Sequence, residues 1–384
     1  MPTNKLYYED PHLRQFSARV LTCQETENGF LVTLDATAFY PEGGGQACDL
    51  GALGNARVLD VQEHGEEVVH LCDKPLEVGQ AVEGNIHWDR RFDLMQQHSG
   101  EHIVSGLVHS LLGHHNVGFH VGSDRMEIDL DGPVSPEELT LIETRANEAV
   151  WMNLPIRCWY PSPEELPNTF YRTKRALPWP VRIVEVPGFD SCACCGVHVK
   201  STGEIGLIKI ISCVKFHQGV RIELCCGNRA LRLLQNVFEQ NRQVSQAFSA
   251  KILETGAAAQ KINETLAAVK YRSTAFRNRL FAAIAEGYAG RSRVIHFEES
   301  LDGAELRELA TAIAGRCGGF AAVFSGNDSD GYSYCLATRD GDLRQLNQEM
   351  TQALNGRGGG KPHFQQGSVK AAETRIRDFF KTRL

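Results

Sequence analysis

Arg91-Phe92-Asp93-Leu94-Met95-Gln96-Gln97-His98-Ser99-Gly100-Glu101-His102 marks the point where this chain changes character. Before it, short β-prone runs alternate with glycine. From Asp89 onward apolar residues recur at helical spacing, and Leu94, Ile103, Leu107 and Leu111 are predicted on the buried side of a helix reaching Leu112. On that helix His98 and His102 stand four apart, so both imidazoles share one face.

Upstream, Phe30–Leu34, Ala56–Val61 and Glu67–Leu71 read as strands at spacings that suit a small barrel, with Phe39-Tyr40-Pro41-Glu42-Gly43-Gly44-Gly45-Gln46 as a glycine-rich turn. Downstream, Ser135-Pro136-Glu137-Glu138 is a helix start, with serine as cap and acids in the first turn; that helix should reach about Asn153. Strand-like runs at 181–186 and 206–211 bracket a cysteine cluster, Ser191-Cys192-Ala193-Cys194-Cys195-Gly196-Val197-His198. Residues 228–288 read as long helix, a possible coiled coil with a local break at Gly256. Beyond Gly290 strands and helices alternate, and a glycine loop at 356–362 precedes a last basic helix at 371–382. The predicted fold is α+β and multidomain: an N-terminal β-barrel domain with the glycine-rich motif (1–89), an α+β domain carrying the histidine pair (90–228), a helical connector (229–289) and a C-terminal α/β domain (290–384).

Cys194 and His198 repeat the spacing of the histidine pair in a turn-like segment. Together the four side chains make a tetrahedral set of borderline-soft donors, which favours zinc over magnesium or calcium. Each pair alone reads equally as core histidine or buried thiol. His98-x-x-Glu101-His102 also matches a zinc-peptidase pattern in which the glutamate activates water, but that reading leaves Cys194 and His198 without a role.

The chain has 384 residues, 42% hydrophobic and 23% charged, an ordinary globular composition of two to four domains. No apolar run approaches a bilayer span and the N-terminus lacks a signal-peptide core, so a cytoplasmic location is expected. Its 12 cysteines are too dilute for a disulfide scaffold. The net charge of −7 hides an asymmetry. Residues 241–295 hold nine Lys/Arg against three Glu, and 355–384 hold seven against two acids, so an acidic body carries basic C-terminal segments fit for a polyanion.

Taken in order, these segments resemble the alanyl-tRNA editing proteins of the long AlaX form. Thr37–Gln46 is similar to the family's threonine-plus-glycine motif, Arg91–His102 to its first metal motif, and Cys194–His198 with Val199–Gly206 to its second. Lys215–Glu223 resembles the strand that follows in alanyl- and threonyl-tRNA synthetase editing domains, and Gly356–Val369 the signature of a DHH-associated domain. Cys195 and Val197 depart from the family's Gly and Thr. The resemblance implies a synthetase-type editing domain at 90–228 and a zinc-dependent aminoacyl-tRNA deacylase. Its substrate would be mischarged alanine tRNA, chiefly seryl and possibly glycyl. It implies His98, His102, Cys194 and His198 as metal ligands. By motif position Thr37, with Gln46 in the same loop, is the catalytic-site candidate for pairing the serine hydroxyl. Glu101 is a candidate general base, with a structural role on its helix as the alternative. Arg357, Lys361 and Lys370 are candidates for tRNA contact, and the helical connector or the C-terminal domain for homodimerisation. Synthesis of aminoacyl-tRNA is not expected, nor DHH phosphoesterase activity, since no Asp-His-His occurs. A silent tRNA-binding or dimerisation module is the remaining alternative.

Overall fold

The structure, a computed structural model, describes residues 2–173, 177 and 179–381. The fold is mixed α/β and divides into two compact units, the break falling after Gln243.

In the first unit, six antiparallel strands pair in a ring. Gln15–Thr26 is followed in space by Gly29–Leu34, Glu67–Cys72, Ala56–His64, Gly51–Leu53 and Ala81–Ile86, and the last pairs back onto the first from Gln15↔Asn85 to Arg19↔Ala81. Strict alternation along the strands, as in Ala81–Ile86, sends every second side chain inward. Phe16, Val32, Leu34, Phe39, Leu53 and Val61 fill the interior.

Two polar side chains, His70 and Thr37, are buried with them. His70 is fully buried; its Nδ1 lies 3.1 Å from the carbonyl of Val32 and its Nε2 2.9 Å from Thr37 Oγ1. A carbonyl only accepts, so Nδ1 carries the proton and the Thr37 hydroxyl donates to Nε2. Burial pushes the His70 pKa down to about 4 from an ordinary 6.5. Below 6.5 the unfolded chain takes up a proton that the folded chain refuses, so stability falls as pH drops from 7 toward 4. At about 1.4 kcal/mol per unit the loss from this one residue is about 3 kcal/mol. Urea unfolding at pH 7 and pH 4.5 should show a smaller acid loss in His70→Gln than in the native chain.

The helix Trp88–Leu112 is the axis of the second half of this unit, and every residue from Leu94 to Val108 is buried. Leu111, predicted on the buried side, is 48% exposed, whereas Leu112 beside it packs against the core. Two glycines set how closely it packs. A Cβ at Gly100 would stand 2.2 Å from Cys226 Sγ, and one at Gly106 2.3 Å from the Phe189 carbonyl. Gly106→Ala should therefore cost about 1–3 kcal/mol through overpacking, read by denaturant titration.

At its start the helix is held by an ion pair between Arg91 and Asp49, both fully buried. Arg91 Nε lies 2.9 Å from each Asp49 oxygen, and its Nη1 and Nη2 donate to the carbonyls of Pro11 and Ala38. Asp49 also accepts from the Tyr40 amide, which ties the helix to the glycine-rich segment.

Against this helix pack the helix Pro136–Met152, opened by the expected Ser135/Glu138 capping box, and a four-stranded sheet in the order Ile208–Phe216, Gly219–Cys226, Met126–Leu130, Asn116–Val121. A three-stranded sheet, Arg157–Trp159, Ile183–Val186 and Asp190–Ala193, leads directly into the cysteine loop.

The long helix breaks earlier than expected. Gly227–Ala247 ends where Ser249 takes a left-handed φ of 50° and Ser245 Oγ donates to the Ala250 carbonyl, and Gly256 lies inside the next helix, Thr255–Glu286. In the second unit a five-stranded sheet runs Arg293–Glu298, Phe320–Asn327, Gly331–Thr338, Phe364–Val369, Gly356–Lys361. Gly303–Cys317 packs in one apolar cluster on it, Arg344–Ala353 and Glu373–Lys381 in another. The glycine run read as a loop is thus an edge strand, paired from Gly356↔Val369 to Lys361↔Phe364. A Cβ at Gly358 would meet the Tyr334 hydroxyl at 2.1 Å, so the strand can lie there only as glycine. Among the described residues no helix is long and apolar enough to cross a membrane.

Candidate metal centre

The helix Trp88–Leu112 supplies His98 and His102; the turn after Asp190–Ala193 supplies Cys194 and His198. One donor atom from each of these four lies within 4.8 Å of all the others. Three of them are buried, and Cys194 is half-buried. Cys194 Sγ stands 3.4 Å from His98 Nε2 and 3.5 Å from His198 Nε2. Tetrahedral zinc with ordinary bond lengths would set sulfur and nitrogen about 3.5 Å apart, so the spacing suits such an ion.

Each imidazole is oriented through its other nitrogen. His98 Nδ1 meets Gln46 Oε1 at 2.8 Å, His102 Nδ1 meets Asp190 Oδ2 at 2.9 Å, and His198 Nδ1 meets Ser99 Oγ at 3.2 Å. Asp190 is in turn gripped by Arg172, at 2.7 and 2.9 Å. Three imidazoles held by their Nδ1 atoms turn their Nε2 atoms inward, the arrangement of a metal site with its outer hydrogen bonds in place.

Burial alone would push the Cys194 thiol up, but the neighbouring His98 and His102 outweigh it and hold it well below its ordinary value. Burial opposes charge on His102, yet the Asp190 carboxylate raises it well above 6.5. Asp190 itself stays low despite its burial, through His102 and Arg172. Burial, with the charge of His98, pushes His198 down to about 3. A thiolate at Cys194 beside a neutral His198 is the ligand state a divalent cation needs, whereas His102 must give up its proton before its Nε2 can bind one.

Glycines let the pieces meet. Gly44 and Gly45 take φ of 60° and 84° in a turn closed by paired hydrogen bonds between Gly43 and Gln46, which delivers Gln46 to His98. A Cβ at Gly196 would lie 2.2 Å from His98 Cε1. Gly196→Ala should therefore push His98 aside and weaken metal binding by tenfold or more (about 1.4 kcal/mol), measured by chelator competition.

The other expected residues fall differently. Gln46 is buried at the cluster, and its Nε2 has no partner among the described residues. The Thr37 hydroxyl is buried, donates to His70, and accepts from the Phe39 amide. Glu101 is buried beside the pair but turned away: Ser105 Oγ and Asn116 Nδ2 donate to its carboxylate, and it is not among the four clustered ligands. Arg357, Lys361 and Lys370 are exposed in the second unit, the first two on the glycine edge strand. Sequence reading missed Asp190, Arg172 and Ser99, which carry no spacing signal and acquire their place only through the fold.

Residues 4–90 match the family described as tRNA synthetases class II (A), residues 181–221 the threonyl and alanyl tRNA synthetase second additional domain, and residues 290–383 the DHHA1 domain. The chain is 27% identical to the alanyl-tRNA editing protein Aarsd1 of Danio rerio, over 95% of this chain and 94% of that protein. It is 28% identical to Aarsd1-A of Xenopus laevis, over 92% of this chain and 87% of that one. It is also 30% identical to the alanine–tRNA ligase of Ignicoccus hospitalis over 94% of this chain, but spans only 40% of that enzyme's length.

Proposed function

From the premise that this chain belongs to the alanyl-tRNA editing family, we propose that it hydrolyses the ester linking a wrong amino acid, chiefly serine and secondarily glycine, to alanine tRNA. The observation that carries this reading is the convergence of His98, His102, Cys194 and His198 on one point. Their donor set fits zinc, which when bound would supply Lewis acidity at the ester.

The chain's own groups do the rest. Gln46 holds His98 through Oε1, and its buried Nε2–H, without a partner among the described residues, is a donor suited to a serine hydroxyl. Alanine would leave that donor unpaired at a cost of about 1–3 kcal/mol, roughly ten- to a hundredfold in selectivity. A synthetase pocket shaped for a methyl group cannot achieve that discrimination alone, which is the reason for a second, hydrolytic site. Thr37, with its proton committed to His70, serves by setting the glycine-rich segment rather than by donating to substrate. Glu101, fixed by Ser105 and Asn116, stiffens the ligand helix, which speaks against the peptidase alternative. Arg357, Lys361 and Lys370 are exposed cations suited to tRNA phosphates, contacts that weaken steeply with salt. Leu266, Phe276 and Leu280 remain exposed on the helix Thr255–Glu286, a face that suits a homodimer.

The deciding experiment is deacylation of seryl-, glycyl- and alanyl-tRNA for alanine, with and without a zinc chelator. Release of serine that the chelator stops is the expected result; turnover of peptides with indifference to charged tRNA would refute it.

A further inference from the structure

The backbone of the metal loop is held from outside by two residues that no ligand pattern includes. Arg182, 7% exposed, donates from Nη1 to the carbonyl of Cys194 at 2.9 Å and to that of Gly196 at 2.8 Å. Between them, the carbonyl of Cys195 accepts from the Tyr8 hydroxyl at 2.8 Å. The two clamping side chains also brace each other, with the Arg182 guanidinium 4.6 Å from the centre of the Tyr8 ring. Three consecutive carbonyls are thereby fixed.

The middle one matters most. In a trans peptide the C=O and the following N–H point in opposite directions. Tyr8, by holding the Cys195 oxygen, therefore fixes the N–H of Gly196 on the other side of the same peptide plane. That N–H donates to Cys194 Sγ at 3.3 Å. A rotated peptide would take this donor away from the sulfur.

We propose that Tyr8 and Arg182 are positioning residues of the metal centre, holding the Cys195–Gly196 peptide so that its N–H steadies the Cys194 sulfur as a ligand. Tyr8 lies on the short helix Leu6–Glu9, so the N-terminal segment becomes a working part of the site. A second tie runs the same way: Lys200 Nζ, just past the loop, pairs with Asp10 at 2.9 Å. This inference rests on the zinc reading above.

The test uses the full chain and its zinc-loaded form, with Tyr8→Phe, Arg182→Lys and Arg182→Gln. Zinc affinity is measured by chelator competition, and cobalt substitution reports the sulfur–metal charge-transfer band. Outer-shell partners of metal ligands typically change affinity 10- to 100-fold. Arg182→Gln should weaken zinc binding by about that factor, and Tyr8→Phe, which removes one hydroxyl, by several-fold with a shifted cobalt band. Arg182→Lys should fall between native and Arg182→Gln, since one ammonium can still serve one carbonyl. Thermal unfolding of the zinc-free proteins separates a general loss of stability from a specific loss of metal affinity. Should Arg182→Gln not fold, Tyr8→Phe and Arg182→Lys decide. Native affinity and an unchanged cobalt band in the folded variants would overturn the proposal. Failure of the native chain itself to bind zinc would instead overturn the reading beneath it.

Discussion

His98→Ala combined with Cys194→Ala is expected to reduce release of serine from mischarged alanine tRNA by more than about a hundredfold, while the protein stays folded. Stabilisation of charge by a bound cation is worth several kcal/mol, and each 1.4 kcal/mol is about tenfold in rate. Removing one donor from the helix and one from the cysteine loop leaves His102 and His198, too few to hold the ion. Circular dichroism and metal content measured on the same samples distinguish loss of zinc from loss of fold. His109→Ala is the control, since His109 lies on the same helix with its Nδ1 near the His114 carbonyl and outside the four-residue cluster. Wild-type turnover in the double variant would sink the metal-centre assignment.

The second large effect is on stability. Arg91→Met should destabilise the chain by about 3–5 kcal/mol, because it leaves Asp49 as an unpaired buried charge. The cost reaches beyond the pair. Arg91 also satisfies the carbonyls of Pro11 and Ala38, and Asp49 anchors the Tyr40 amide, so the variant loosens the junction between the strand ring and the ligand helix. Equilibrium urea unfolding measures this directly. A double change, Arg91→Met with Asp49→Leu, should recover a substantial part of the loss, since replacing both charges by apolar groups removes the uncompensated one. If the single variant costs under 1 kcal/mol, the ion pair is not what holds that junction.

Several parts of this protein were written in local sequence. The cap at Ser135, the helix carrying His98 and His102, the small strands around glycine turns and the alternating C-terminal elements all follow from short-range patterns. So do the two halves of the candidate metal cluster, because a helical turn and a tight loop each bring residues four apart onto one side. Local patterning misjudged the run 356–361: six residues rich in glycine look like a loop, and only the neighbouring strand Phe364–Val369 and the Tyr334 hydroxyl explain why they are extended. It misjudged the helix break for a similar reason, since Gly256 tolerates a helix and the real stop is the left-handed turn at Ser249.

What tertiary structure alone decided is the direction of polar side chains. Thr37 and Glu101 look alike as candidates in a sequence, yet one hydroxyl is committed to His70 and one carboxylate to Ser105 and Asn116. Asp190, Arg172, Arg182 and Tyr8 carry no motif, yet they aim the imidazoles and the sulfur. The division has a physical cause. Which residues share a face depends on backbone period, which neighbours in sequence fix. Which nitrogen or hydroxyl stays free depends on hydrogen bonds between residues up to 187 positions apart, as from Tyr8 to Cys195, and those exist only once the chain has packed.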